Sequence, residues 1–196
     1  MKDSFVFLAE GFEEVEAITV IDLLRRAGIP VKTISITTAL QVKGAHGVTV
    51  KADLLFDNTL FADAEWLILP GGMPGATNLY NFGPLQGLLK SQLDSPRGRV
   101  AAICASPAVV LGQLGLLKNE KATCYPGFEE MLEGSEVVDE PVVVSGRFVL
   151  GNGPANAMEW ALAIIRETLS SQDALKVAGG LLLYPRDNEE VDHFFG

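Results

Sequence analysis

Apolar and polar positions along this chain follow two alternating periods. Ser4 to Ala9 is apolar after its first residue and reads as a strand. From Glu13 to Ala27 the apolar residues Val15, Ile18, Ile21 and Leu24 recur at helical spacing, which predicts a helix with one buried face. Gly28 and Pro30 close that helix, because glycine accepts the left-handed turn after a helix and proline cannot continue one. The β-branched run Val31 to Thr37 predicts a second strand, and Val48 to Val50 a short extra one after Gly47.

Trp66 to Leu69 is a buried strand that stops at Pro70-Gly71-Gly72. Pro84 to Leu93 reads as a helix with proline in its first turn. Val100 to Ile103 is another short apolar strand, and the small-residue stretch Ala105 to Leu116 reads as helical. Val142 to Leu150 holds two β runs around Ser145-Gly146, the signature of a hairpin. Helices are expected over Pro154 to Leu169 and Asp173 to Leu182, and the acidic tail from Asp187 to Gly196 reads as loosely held. Strands that are apolar throughout and alternate with helices predict an α/β fold, its parallel sheet covered on both faces and closed by a mixed edge at the late hairpin. No repeat or linker interrupts the pattern, so residues 1–196 read as one domain.

Composition narrows the function. A net charge of −10 argues against nucleic acid or an anionic membrane as the partner, since both require a basic surface. No apolar run approaches ~18 residues, the length that spans a bilayer, and the first residues lack a signal-peptide pattern, so a cytoplasmic protein is expected. Two cysteines, Cys104 and Cys124, are too few for a disulfide framework. Two histidines, His46 and His193, give no metal-ligand cluster, and no metal or cofactor is expected.

In an open α/β sheet, ligands bind where strand ends lead into helices. Three such loops stand out: the acidic one carrying Glu10, Glu13, Glu14 and Glu16, the Gly71-Gly72 pair, and the turn at Cys104. A thiol at a strand-to-helix turn, flanked by small residues, is a candidate nucleophile, and the helix N-terminus is expected to lower its pKa. A buried structural cysteine is the alternative. Glu13 and Glu14 suit the start of a helix, whereas Glu16 lies among Val15, Ala17 and Ile18, where a carboxyl group can hold a proton and pass it to a thiolate. The glycine pair offers bare amides to an anion or oxyanion. Cys124 reads either as an inert thiol or as a resolving thiol for an oxidised Cys104.

Taken together these loops resemble the ThiJ/PfpI superfamily, in the branch of the parkinsonism-associated protein deglycase and YajL. The resemblance runs through E-G-F-E-E-V-E-A from Glu10, L-P-G-G from Leu69, A-A-I-C-A-S-P from Ala101 and G-N-G-P from Gly151. It implies a flavodoxin-like, three-layer α/β sandwich and a homodimer. It also implies that Cys104 is the nucleophile, that Glu16 is the acid bonded to its sulfur, and that Gly71, Gly72 and the Ala105 amide are anion donors. Glu13 and His46 match positions near the dimer interface.

Two departures bear on activity. Ala105 stands where protease members carry histidine, so a Cys-His pair for peptide hydrolysis is missing. Tyr125, before Pro126, stands where the deglycase branch often has histidine, and could donate a hydrogen bond instead. The resemblance implies action on small reactive carbonyls, or on glycated thiols and amines, as a glyoxalase or deglycase. The alternatives are a redox sensor or chaperone whose Cys104 becomes a sulfinate, and a thiamine-pathway or amidase role.

Overall fold

The apolar runs assemble into a seven-stranded sheet in this computed structural model, which describes residues 1–183. The expected acidic tail, 187–196, lies outside the described residues. The strands are β1 (Ser4–Leu8), β2 (Val31–Ser35), β3 (Gln41–Lys43), β4 (Thr49–Lys51), β5 (Leu54–Leu55), β6 (Trp66–Leu69), β7 (Arg99–Ile103), β8 (Lys121–Ala122), β9 (Glu136–Val137), β10 (Val142–Ser145) and β11 (Phe148–Gly151). The main sheet runs in the order β10-β11-β7-β6-β1-β2-β5. All its neighbours are parallel except the hairpin β10–β11 at one edge. Two small ladders stand apart, antiparallel β3–β4 and parallel β8–β9.

Alternation along each strand feeds two hydrophobic clusters. Val6, Leu8, Ile68, Ala101, Ile103 and Val149 pack with helices α1 (Glu14–Arg26), α4 (Ala157–Thr168) and α5 (Ser171–Gly180) on one side. Phe5, Phe7, Leu67, Leu69, Val100 and Leu150 pack with α3 (Gly83–Asp94) and the helical segment Pro107–Gly112 on the other. This is the three-layer, mostly parallel α/β sandwich expected.

The short strands β3, β5, β8 and β9 add to those expected, and three helical elements differ from expectation. Helix α2 (Gly75–Asn81) carries no periodic apolar signal over its seven residues and has no side-chain cap. The helix expected over Ala105 to Leu116 is regular only from Pro107 to Gly112; Gly115 has φ +69°, a backbone that leaves the helix. In α1 the buried stripe is Ala17, Val20, Ile21, Leu23 and Leu24, while Val15 and Ile18 are 53% and 44% exposed. The helix rolls so that its small and aliphatic C-terminal residues meet the sheet and α4, and this roll turns Glu16 inward.

The core's largest anchor beneath β11 is Trp160, fully buried, whose Nε1 donates to the Val149 carbonyl at 3.0 Å. Trp160→Phe removes that donor, leaves the carbonyl buried without it and opens a void. Urea unfolding should show a loss of about 2–4 kcal/mol with unchanged slope.

Candidate functional site

The candidate residues gather at the carboxyl ends of β1, β6 and β7. β7 ends at Ile103, and strict alternation would send the next side chain to the cluster of Val100 and Ala102. Cys104 instead has φ +63°, an uncommon conformation for a residue with a Cβ, and its side chain lies in the opposite cluster, on the side of α1. The turn is fixed from both sides. The Cys104 amide donates to the Gly151 carbonyl at 2.9 Å, and the Tyr125 amide donates to the Cys104 carbonyl at 2.8 Å. Next in the chain, the buried Ser106 hydroxyl donates to the Pro70 carbonyl at 2.6 Å and ties the elbow to the glycine loop. The sequence reading missed this serine; a small polar residue between Ala105 and Pro107 was the signal available.

Glu16 faces the elbow from the first turn of α1 and has no exposed surface. The Glu13 carboxylate caps the helix by accepting from the Glu16 amide at 2.7 Å, so Glu13 orients the residue that reaches inward. Glu16 Oε2 accepts from the Gly71 amide at 2.7 Å, and Oε1 is buried with no partner among the described residues. The approach requires glycine: a Cβ at Gly71 would lie 2.6 Å from the Cys104 Cβ and 2.9 Å from Glu16 Oε2. At Gly72, where φ is +90°, a Cβ would strike the Gly11 carbonyl oxygen and the Glu13 nitrogen at 2.5 Å.

The three expected anion donors therefore divide. The Gly72 and Ala105 amides act on the Cys104 sulfur and favour its charged form. The Gly71 amide is committed to Glu16, so it positions the acid rather than facing a bound anion.

The electrostatics correct one expectation outright. Burial, joined by the charge of the Glu16 carboxylate, pushes the Cys104 thiol up to about 12 against the opposing Gly72 and Ala105 amides. A six-residue helical segment carries little dipole, and the thiol is only 8% exposed, so desolvation outweighs the helix terminus expected to lower it. Burial likewise raises Glu16 to about 7, opposed by the Gly71 amide and the thiol and assisted by the charge of Glu13. In the neutral range Glu16 is thus the group that changes protonation, and the pair then holds one proton to share.

The remaining candidates fall at varied distances from this pair. Tyr125 contributes its backbone to the elbow; its half-exposed ring packs edge-on to Phe128, with centroids 6.5 Å apart, and its hydroxyl donates to nothing among the described residues. Cys124 is buried in the cluster opposite that of Cys104. Both thiols are free, and packing on opposite sides gives no support to the resolving role.

His46 meets the start of α1. Its ring is 74% exposed and its Nδ1 lies 2.9 Å from Glu14 Oε2 and 3.9 Å from Glu13 Oε1. The His46 amide also donates to Glu14 Oε1 at 2.7 Å, latching the β3–β4 hairpin onto the start of α1. Burial alone would raise Glu14, yet the hydrogen bonds from His46 and Val48 hold it below the usual carboxylate range, and the same contact raises His46. One atom from each of Glu13, Glu14 and His46 comes within 4.8 Å of the others, close enough to hold a metal ion; counting histidines in the sequence did not anticipate this grouping.

The sequence profile of the DJ-1/PfpI family matches residues 2–167. Protein DJ-1 homolog B of Arabidopsis thaliana is 35% identical over 190 residues, 96% of this chain and 43% of that protein. The chain therefore spans less than half the length of that relative. A Caenorhabditis elegans relative, named glutathione-independent glyoxalase DJR-1.2, is 36% identical over 84% of this chain and 86% of its own. The structure of oxidized Toxoplasma gondii DJ-1 superposes with a TM-score of 0.88 at 38% identity, covering 93% of this chain and 98% of that one.

The shared proton sets the pH profile of the thiol. Alkylation of Cys104, followed by mass spectrometry, should rise through about pH 7 as Glu16 becomes a base. In Glu16→Gln that step should vanish and reactivity should climb only in the alkaline range. A wild-type rate already at its plateau near pH ~5 would contradict the burial-dominated site.

Proposed function

Because the chain belongs to the DJ-1/PfpI family, we propose that it acts on small reactive carbonyls, with Cys104 as nucleophile and Glu16 as its proton carrier. The observation that carries this reading is the buried pair itself: a thiol held in a left-handed turn beside an acid raised to about 7. A general base is most effective when its pKa lies near the working pH. The name of the Caenorhabditis elegans relative supports the same chemistry.

Glu16 takes the Sγ proton as the sulfur attacks the aldehyde carbon of a 2-oxoaldehyde such as methylglyoxal. The developing oxyanion is received by the Gly72 and Ala105 amides, which already act on the sulfur. Proton transfer between the two oxygenated carbons, with Glu16 as carrier, converts the thiohemiacetal to a thioester. Water then hydrolyses the thioester, releasing the hydroxy acid and the free thiol. Hemithioacetals and aminocarbinols of the same aldehyde would enter after their C–S or C–N bond breaks, which frees the thiol or amine and regenerates the aldehyde that Cys104 then attacks. Peptide hydrolysis is disfavoured, because Ala105 supplies no imidazole.

The working form is a cytoplasmic homodimer. The outward apolar residues Val15 and Ile18 on α1 support a second copy as the cover for that face. No helix among the described residues is long and apolar enough to cross a membrane.

A second reading, stress sensing without turnover, has Cys104 oxidised by peroxide to a sulfinate whose oxygens take the same two amides. The likeness to an oxidized DJ-1 structure supports this reading. Lactate formation from methylglyoxal separates the two. The protein should produce lactate, Cys104→Ala should produce none above background, and Glu16→Gln should lose roughly a hundredfold or more in kcat/KM. Wild-type protein that matches the Cys104→Ala background would overturn the enzymatic reading and leave the sensor.

A further inference from the structure

Two successive peptides of the glycine loop serve Glu16 and Cys104, and each is itself held at its far end. The Gly71–Gly72 peptide accepts from the Glu13 amide on its oxygen, at 3.0 Å, while its N–H acts on the Cys104 sulfur. The Pro70–Gly71 peptide accepts from the Ser106 hydroxyl on its oxygen, at 2.6 Å, while its N–H donates to Glu16 Oε2 at 2.7 Å. A trans peptide is a rigid plane whose C=O and N–H point in opposite directions, so whatever fixes one end aims the other.

The first of these supports is backbone and belongs to the start of α1. The second depends on one side chain. Ser106 has no exposed surface, and it stands two residues beyond Cys104, on the elbow rather than on the loop it serves. The loop needs such a support, because Gly71 and Gly72 have no side chains to anchor it and Gly72 takes a φ of +90°. A donor on a carbonyl also polarises the peptide and strengthens the N–H at its other end. The reaction proposed above gives this serine no part.

We propose that Ser106 is a positioning residue for Glu16: its hydroxyl, acting through the Pro70–Gly71 peptide, holds the Gly71 amide on the carboxylate and so favours the charged form. The titratable groups that act on Glu16 are Cys104 on the elbow and Glu13 on its own helix, and Ser106→Ala removes neither. The Gly71 amide works against burial to lower the pKa of Glu16, so weakening that bond raises it above about 7 and moves the loss of the proton to higher pH. This holds for the protein alone; its consequence for turnover rests on the carbonyl reading.

Ser106→Ala removes the hydroxyl and little else. Followed without substrate by carbon-13 NMR of the glutamate carboxyls, the Glu16 midpoint should rise by about 0.3–1 pH unit, the scale of weakening one charge-assisted hydrogen bond. Alkylation of Cys104 at about pH 6 should slow correspondingly, roughly two- to tenfold. The Gly71 amide proton should move upfield as its bond lengthens, and further than that of Gly72. Leu89→Ala, a core deletion in α3 on the other side of the sheet, controls for lost stability and should leave the midpoint in place. An unchanged or lowered midpoint in Ser106→Ala, an equal rise in Leu89→Ala, or equal shifts of the two amide protons would each overturn the role of Ser106. A raised midpoint in Ser106→Ala, with no lactate formed from methylglyoxal by the wild-type protein, would uphold that role and overturn the carbonyl reading instead.

Discussion

A carboxyl group with no exposed surface must be solvated by the protein around it, and in this chain that duty falls largely on one amide and one thiol. Glu16 receives the Gly71 amide on Oε2 and faces Cys104, and burial alone makes its charged form unfavourable. The thiol is in the same position, buried and beside a carboxylate. Two groups that each resist ionisation hold a single proton between them near neutrality, which in the proposed reaction would make attack by the sulfur and uptake of its proton one event. The amides of Gly72 and Ala105 already act on the sulfur and would supply, in that reaction, a fixed dipole where negative charge develops.

The surrounding fold makes that pair possible by bending the backbone where alternation would have failed. β7 would deliver Cys104 to the wrong side of the sheet; the left-handed turn carries it to the side of α1. Such a conformation persists because Gly151, Tyr125 and Ser106 hold it through backbone and hydroxyl bonds. The glycine loop can then approach until its missing Cβ atoms are the only space left. The site is thus set by three strand ends and the start of one helix, the place where an open α/β sheet leaves amides and side chains unpaired.

Much of this was legible in the chain. Uninterrupted apolar runs marked the parallel strands, small residues around Cys104 marked the elbow, and Glu16 announced itself as an acid set into an apolar stripe. The stripe's orientation was less legible: Val15 and Ile18 carry the right period, but Ala17, Val20 and Leu23 win the sheet, because packing against α4 is a contact between distant segments. Helix α2 escaped because glycine, threonine and asparagine give it little propensity of its own. The bond from His46 to Glu14 spans 32 residues and leaves no local trace. The direction of the thiol's shift was misread for the same reason: a helix terminus is visible in a sequence, whereas depth of burial and a facing carboxylate appear only when the chain has folded.

Glu16 is the acid that titrates near neutrality, and it does so because Cys104 and the glycine loop enclose it. Carbon-13 labelling of glutamate carboxyls, with Glu16 assigned by its loss in Glu16→Gln, would follow this group directly by NMR. A midpoint near 7 is expected in the wild-type protein, displaced in Cys104→Ser because the partner changes. A midpoint at the ordinary glutamate value of about 4.3, unmoved by the change at Cys104, would contradict it.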